Sequence, residues 1–119
     1  MDFKAALRDM VGNVDGSIGA GLVGLDGLVI DQVSVKADFD ITVAGAEYAT
    51  IIKNAIKASQ NFGLGNTSEV LISTEKATMI MMMVGSQYFA TIALGLDGNL
   101  GRGRLELKKV IPKFEQALA

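Results

Sequence analysis

Apolar residues recur along the chain in two rhythms, one helical and one alternating, and together they divide it into eight elements. Phe3, Leu7, Met10 and Val14 repeat at steps of four, three and four, which predicts a helix over about residues 2–12, stopped at Gly12-Asn13. Two apolar runs follow, Ile18–Leu25 and Leu28–Val33, joined by Asp26-Gly27. That spacing predicts a hairpin, and Asp-Gly at its tip predicts a type I′ turn with positive φ at both central residues. Gly19, Gly21 and Gly24 weaken the first strand and leave room for another backbone to come close. Residues 35–41 are polar and read as a loop. From about Thr42 to Asn61 the helical rhythm returns. A wheel puts Ala44, Tyr48, Ile51, Ile52, Ala55, Ile56 and Phe62 on one broad face. Glu47, Thr50, Lys53, Asn54, Lys57 and Asn61 share the opposite face, and Gly45 and Ala49 lie one turn apart on a flank between them. Small residues there predict close approach of a second helix, and Gly63 predicts the helix end.

Val70–Ser73, Ala77–Val84 and Tyr88–Leu94 are then three strands separated by Thr74-Glu75-Lys76 and Gly85-Ser86-Gln87. A last helix from about Gly101 is marked by Leu107, Ile111, Phe114 and Leu118, and Pro112 inside it predicts a kink or an early break. The order α-β-β-α-β-β-β-α, with tight turns between most strands, predicts a five-stranded antiparallel sheet covered on both faces. The fold class is therefore a three-layer α/β sandwich forming one domain over residues 1–119.

Composition narrows the function. Half the residues are hydrophobic and 20% are charged, which excludes disorder. A net charge of −2 with scattered lysines gives no reason to expect nucleic acid as a partner. Cysteine and histidine are absent, so disulfides, thiolate nucleophiles, imidazole bases and the usual zinc ligands are excluded together. No apolar run approaches the roughly 18 residues of a membrane span, and no signal peptide is read at the N-terminus. The expectation is a soluble, cytoplasmic protein without membrane insertion.

Three segments invite a chemical reading. Thr78–Val84 holds four methionines, yet on a strand residues i and i+2 stand about 6.6 Å apart, too far to share one soft metal ion. A strand apolar on both faces fits the centre of a covered sheet, so no metal or other cofactor is expected. Asp97–Arg104 is glycine-rich, carries Arg102 and Arg104, and leads into a helix where phosphates can be cradled. It matches no phosphate-loop spacing, so a tight connection is favoured, with the two arginines kept as partner contacts. Asp38 and Asp40 are neighbours without a third group to activate them, and no enzyme is read.

The hairpin "GAGLVGLDGLVID", the helix "VAGAEYATIIKNAIKASQNFGLG" and the end "LGLDGNLGRGRLELKKVI" together resemble the roadblock family, whose relatives include the dynein light chain roadblock and the bacterial MglB proteins. The resemblance covers nearly the whole chain and implies a roadblock, profilin-like sandwich. It also implies a homodimer in which central helices pair and third strands join. That would bring Gly45, Ala49, Lys53 and Ile56 to the twofold axis, with Glu69, Val70, Leu71 and Ile72 at the strand junction. The partner it implies is a Ras-like small GTPase, contacted through Glu47, Thr50, Lys53, Asn54 and Lys57, with GTPase activation of the MglB kind needing no arginine finger. A structural adaptor in a motor or signalling complex is the alternative, and a small-molecule sensor using the glycine-rich first strand is a third reading. The sequence departs from the family pattern at Gly45 and Pro112.

Overall fold

The computed structural model describes residues 1–119 and follows the expected element order. Helix α1 (Phe3–Gly12) precedes strands β1 (Ser17–Gly24) and β2 (Val29–Ser34), and helix α2 (Ile41–Asn61) comes next. Strands β3 (Glu69–Ser73), β4 (Thr78–Val84) and β5 (Tyr88–Leu94) lead to helix α3 (Leu100–Leu118). Each helix begins at a side-chain cap: Asp2, Asp40 and Asn99 accept from Ala5, Thr42 and Arg102 backbone N–H groups, each at 3.0 Å.

The strands form one five-stranded antiparallel sheet in the order β2-β1-β5-β4-β3. It is covered on both faces, α2 on one and α1 with α3 on the other. β4 sits inside the sheet, and its alternation splits the methionine run between two cores. Ile80, Met82 and Val84 pack with Leu7, Leu107 and Phe114 under α1 and α3. Met79, Met81 and Met83 join Phe89, Ala49 and Ile52 under α2 of the same chain. The run is a central strand buried from both sides.

Three local expectations give way. No non-glycine residue has positive φ, so Asp26-Gly27 does not form a type I′ turn. The loop is one residue longer: Gly24 and Leu28 close it, Gly27 N–H donates to the Gly24 carbonyl, and Gly27 takes φ +91°. The Asp26 carboxylate accepts from Leu28 N–H at 3.1 Å, an Asx-type bond that supports the turn while Asp26 keeps a negative φ. Pro112 neither breaks nor ends α3, which runs unbroken from Leu100 to Leu118. Its ring lies on the exposed side, where the carbonyl it leaves unbonded meets water.

The third concerns α2. Its buried residues are Ile41, Gly45, Ala49 and Ile52. Gly45 and Ala49 therefore face their own sheet and are no flank for another helix. A Cβ on Gly45 would meet Val29 at 3.2 Å and the Gly27 carbonyl at 3.4 Å, so the glycine lets α2 settle on the β1–β2 hairpin without interrupting the helix. Conversely Ile51 and Phe62, which the wheel puts on the same broad apolar face as the buried Ile52, are 41% and 81% exposed. The apolar arc of this helix is wide enough that periodicity alone places it about a quarter-turn off.

Candidate protein-binding site

α2 runs from the β1–β2 side toward the β4 end, with one flank facing the hairpin tips. Ala46 lies against Gly27 there, and Ile56 and Gln60 lie near Gly85 and Ser86. The other flank carries Ala44, Tyr48, Ile51, Ala55, Ala58 and Phe62 at steps of four, three, four, three and four. All of these are half-buried or exposed, so α2 presents an apolar stripe that its own chain leaves uncovered. Its outward face carries Glu47, Thr50, Lys53, Asn54 and Lys57, all exposed as the sequence suggests. None of the four charged or amide side chains among them makes an ion pair or side-chain bond, while the Thr50 hydroxyl donates back to the Ala46 carbonyl at 3.0 Å.

The sheet has two edges, and they differ. At β2, the Lys4 ammonium donates to the Gln32 carbonyl at 2.9 Å and pairs with Asp31 at 2.7 Å, laying a positive charge along the strand margin. Gln32 is further tied to the α2 start, accepting from Ile41 N–H at 2.8 Å and donating to Asp40 at 2.9 Å. The Thr42 hydroxyl bond, followed by the Gln32 amide bond and the Thr42 N–H, holds the Asp40 carboxyl below the usual aspartate range. Asp40 is thus a helix cap rather than a reactive acid.

At β3, Thr74 and Ser68 bond inward to Ala77 and Met83. The alternation of an antiparallel ladder then leaves the backbone groups of Glu69, Leu71 and Ser73 on the open side. Leu71 is 36% exposed, and Val70 and Ile72 are half-buried on the α2 face. The edge is apolar from Val70 to Ile72, with its one ion pair, Glu69 to Arg104, at one end, and such an edge is a template for another strand.

The glycine-rich connection before α3 is structural. Gly103 packs on Ile80, Leu94 and Ile92, and Gly98 lies on Leu94 and Gly16, so the glycines let α3 sit close to the sheet. Arg104 makes a two-pronged bond with Glu69, Nε to Oε1 at 2.8 Å and Nη2 to Oε2 at 3.2 Å, which raises its already high pKa. Arg102 Nε donates to the Asn13 carbonyl at 3.2 Å. Both arginines offered as partner contacts are therefore engaged within the chain, and Glu69 belongs to the α3 side of β3. The glycine-rich first strand holds no ligand space either, because Phe39 fills the place above Gly19 and Ile41 that above Gly21.

The chain is thus an antiparallel sheet between helices, with Lys4 along the β2 edge, unpaired backbone groups along the β3 edge and an uncovered apolar stripe on α2. Residues 4–93 match the sequence profile of the Roadblock/LC7 domain, and the chain belongs to that family. Among solved structures, a Roadblock/LC7 domain from Streptomyces avermitilis superposes with a TM-score of 0.89 at 18% identity, covering 99% of this chain and 98% of its own. MglC from Myxococcus xanthus is 32% identical with a TM-score of 0.69, covering 98% of this chain and 99% of its own. Myxococcus xanthus MglB gives 0.85 at 16% identity, with 99% and 98% coverage. No curated protein sequence matches the chain. No helix is long and apolar enough to cross a membrane.

Proposed function

We propose that this chain is a homodimeric regulator or scaffold of a Ras-like small GTPase. Two observations support the reading: β3 is an edge strand with Leu71 exposed on it, and α2 carries an uncovered apolar stripe on which Ile51 and Phe62 are exposed. A twofold axis crossing the stripe midway between Ile51 and Ala55, on the side of α2 away from Lys53, would run the two helices antiparallel and set Ala44 against Phe62, Tyr48 against Ala58 and Ile51 against Ala55 of the second copy. Every large side chain then meets an alanine, the match of volumes that close helix packing needs. The same axis can pair β3 with its twin across Leu71, so the open edge closes on itself. In this reading Glu69 through Ile72 supply the strand junction by their backbone, and Gly45 and Ala49, buried between α2 and the sheet, lie away from the axis.

Dimerisation leaves the outward α2 faces, with Glu47, Thr50, Lys53, Asn54 and Lys57, side by side on one surface. That surface is the GTPase contact in this reading. It contains no arginine: Arg102 and Arg104 are bound elsewhere and Arg8 lies on α1 across the sheet, so acceleration of hydrolysis at this surface would act on the GTPase's own residues and not through an inserted finger. The same lack of an arginine favours the second reading, an adaptor that binds without changing nucleotide turnover. The test is to measure binding, GTP hydrolysis and nucleotide exchange for the Ras-like GTPases of the source organism, with and without this protein. Altered turnover, lost in Lys53→Glu, supports regulation. Binding with unchanged turnover selects the adaptor, and no binding to any of them overturns the GTPase partner.

A further inference from the structure

Leu71 is a large apolar side chain that joins neither core. It stands on β3 opposite Ile80, on the face of the sheet that carries α1 and α3, and is 36% exposed. α3 does not cover it, because the helix packs on β4 and β5, with Gly103 against Ile80, Ile92 and Leu94. Between α3 and β3 lies an open cleft of about 300 Å³, lined by Arg104, Lys108 and Ile111 of the helix and by Glu69 and Met82 of the sheet. Leu100, also 36% exposed, continues the same flank of α3 one turn before Arg104. Arg104 and Glu69 neutralise each other, and Lys108 makes no ion pair in the chain. The next charge on that flank, Glu115, lies about two turns further along.

In the proposed dimer, on which this site rests, the α2 pair covers the β3–β3 junction on one face of the sheet and nothing covers it on the other. Pairing across Leu71 sets the two leucines side by side on the floor of a trough whose walls are the two α3 helices. Strands stand about 4.8 Å apart, so a helix centred over β4 and β5 lies about 10 Å from the twofold axis. The two α3 axes are then about 19 Å apart, which is two helix–helix spacings of roughly 8–10 Å each. The gap is one helix wide. We propose that this trough receives a single α-helix of a partner protein, one per dimer, with an apolar ridge on the two leucines and carboxylates toward the two Lys108 ammonium groups. An extended segment is the poorer match, because no strand edge is left for it to join once the β3 strands have paired.

The probe is a blocked alanine-based peptide of about 18 residues, long enough to hold a helix, with leucines along one face and glutamates on both sides of them. Its counterpart carries lysines in place of the glutamates. Each is titrated into the ¹⁵N-labelled full chain after sedimentation velocity has given the chain's oligomeric state. Saturable shifts are expected at Leu71, Arg104 and Lys108, with one glutamate peptide bound per dimer and the lysine peptide bound severalfold more weakly. Lys108→Glu, a change on an exposed side chain, should reverse that preference. Leu71→Thr, which keeps a strand former at the junction, should weaken both peptides. A dimer that gives only linear shifts, binds one peptide per chain, or keeps its preference in Lys108→Glu overturns the trough alone. A parent chain that sediments as a monomer overturns the dimer and the trough together, and the peptide result does not depend on whether a GTPase binds.

Discussion

Gly16 and Gly98 meet back to back where α1 gives way to β1 and β5 gives way to α3. A Cβ on Gly16 would lie 2.6 Å from the Gly98 Cα, and Gly16 itself sits at φ +79°. Gly16→Ala should therefore destabilise the fold by about 2 kcal/mol or more, read from urea unfolding midpoints. Gly63, at φ +68° with open space around it, provides the comparison. Gly63→Ala should cost only about 1 kcal/mol, the strain of the left-handed backbone alone. A glycine at an element boundary is legible in the sequence, but the backbone it must touch is not. The same holds for polar residues. The sequence places Arg102 and Arg104 at the start of α3, while their partners Asn13 and Glu69 lie 89 and 35 residues away and appear only once the sheet has assembled.

For whole elements, the hydrophobic rhythm is sound because it counts burial, and it falters where two kinds of burial compete. α2 is apolar around much of its circumference, one arc for its own sheet and the other for the exposed stripe, and hydropathy weights both alike. Gly45 and Ala49 look like a helix–helix flank, yet sheet packing also selects small residues. Ala49→Glu, which from sequence alone reads as a dimer-breaking change, should instead bury an unpaired carboxylate and cost several kcal/mol of folding stability. Ile51→Arg should leave the fold of the single chain within about 0.5 kcal/mol of the parent and, in the proposed dimer, convert dimers to monomers. Circular dichroism melts and sedimentation velocity on the two variants separate these outcomes; a dimeric Ile51→Arg protein would place the stripe outside the interface. α3 carries its own check. Pro112 withholds a backbone donor from a helix that continues past it, so Pro112→Ala should raise stability by about 1–3 kcal/mol in the same melts.

Across the whole molecule, two clips hold α1 in place, Lys4 to Asp31 on β2 and Asn13 to Glu106 on α3. Both depend on an ionised carboxylate. The Lys4 hydrogen bond holds the Asp31 carboxyl below its ordinary value of 3.8, and the Lys109 contact, followed by the Asn13 bond, holds Glu106 below 4.5. A carboxyl whose folded pKa is depressed contributes stability that is full above its unfolded value and is lost as pH falls through the folded one. The melting temperature should thus be flat from pH 7 to about 5 with respect to these groups, and should fall as pH drops below about 4.5. Because both carboxylates anchor the same helix, amides of α1 and the edge of β2 should lose exchange protection before those of β4 and β5. Glu106→Gln should lower the melting temperature at pH 7 and make the acid branch shallower, since the amide cannot titrate. Lys4→Met should do the same through Asp31 and, in addition, unguard the β2 edge, so that the variant associates at concentrations where the parent does not. Light scattering across that concentration range measures the second effect. Unchanged particle size in Lys4→Met would mean that the guard on β2 lies elsewhere, in the Gln32 ties to α2.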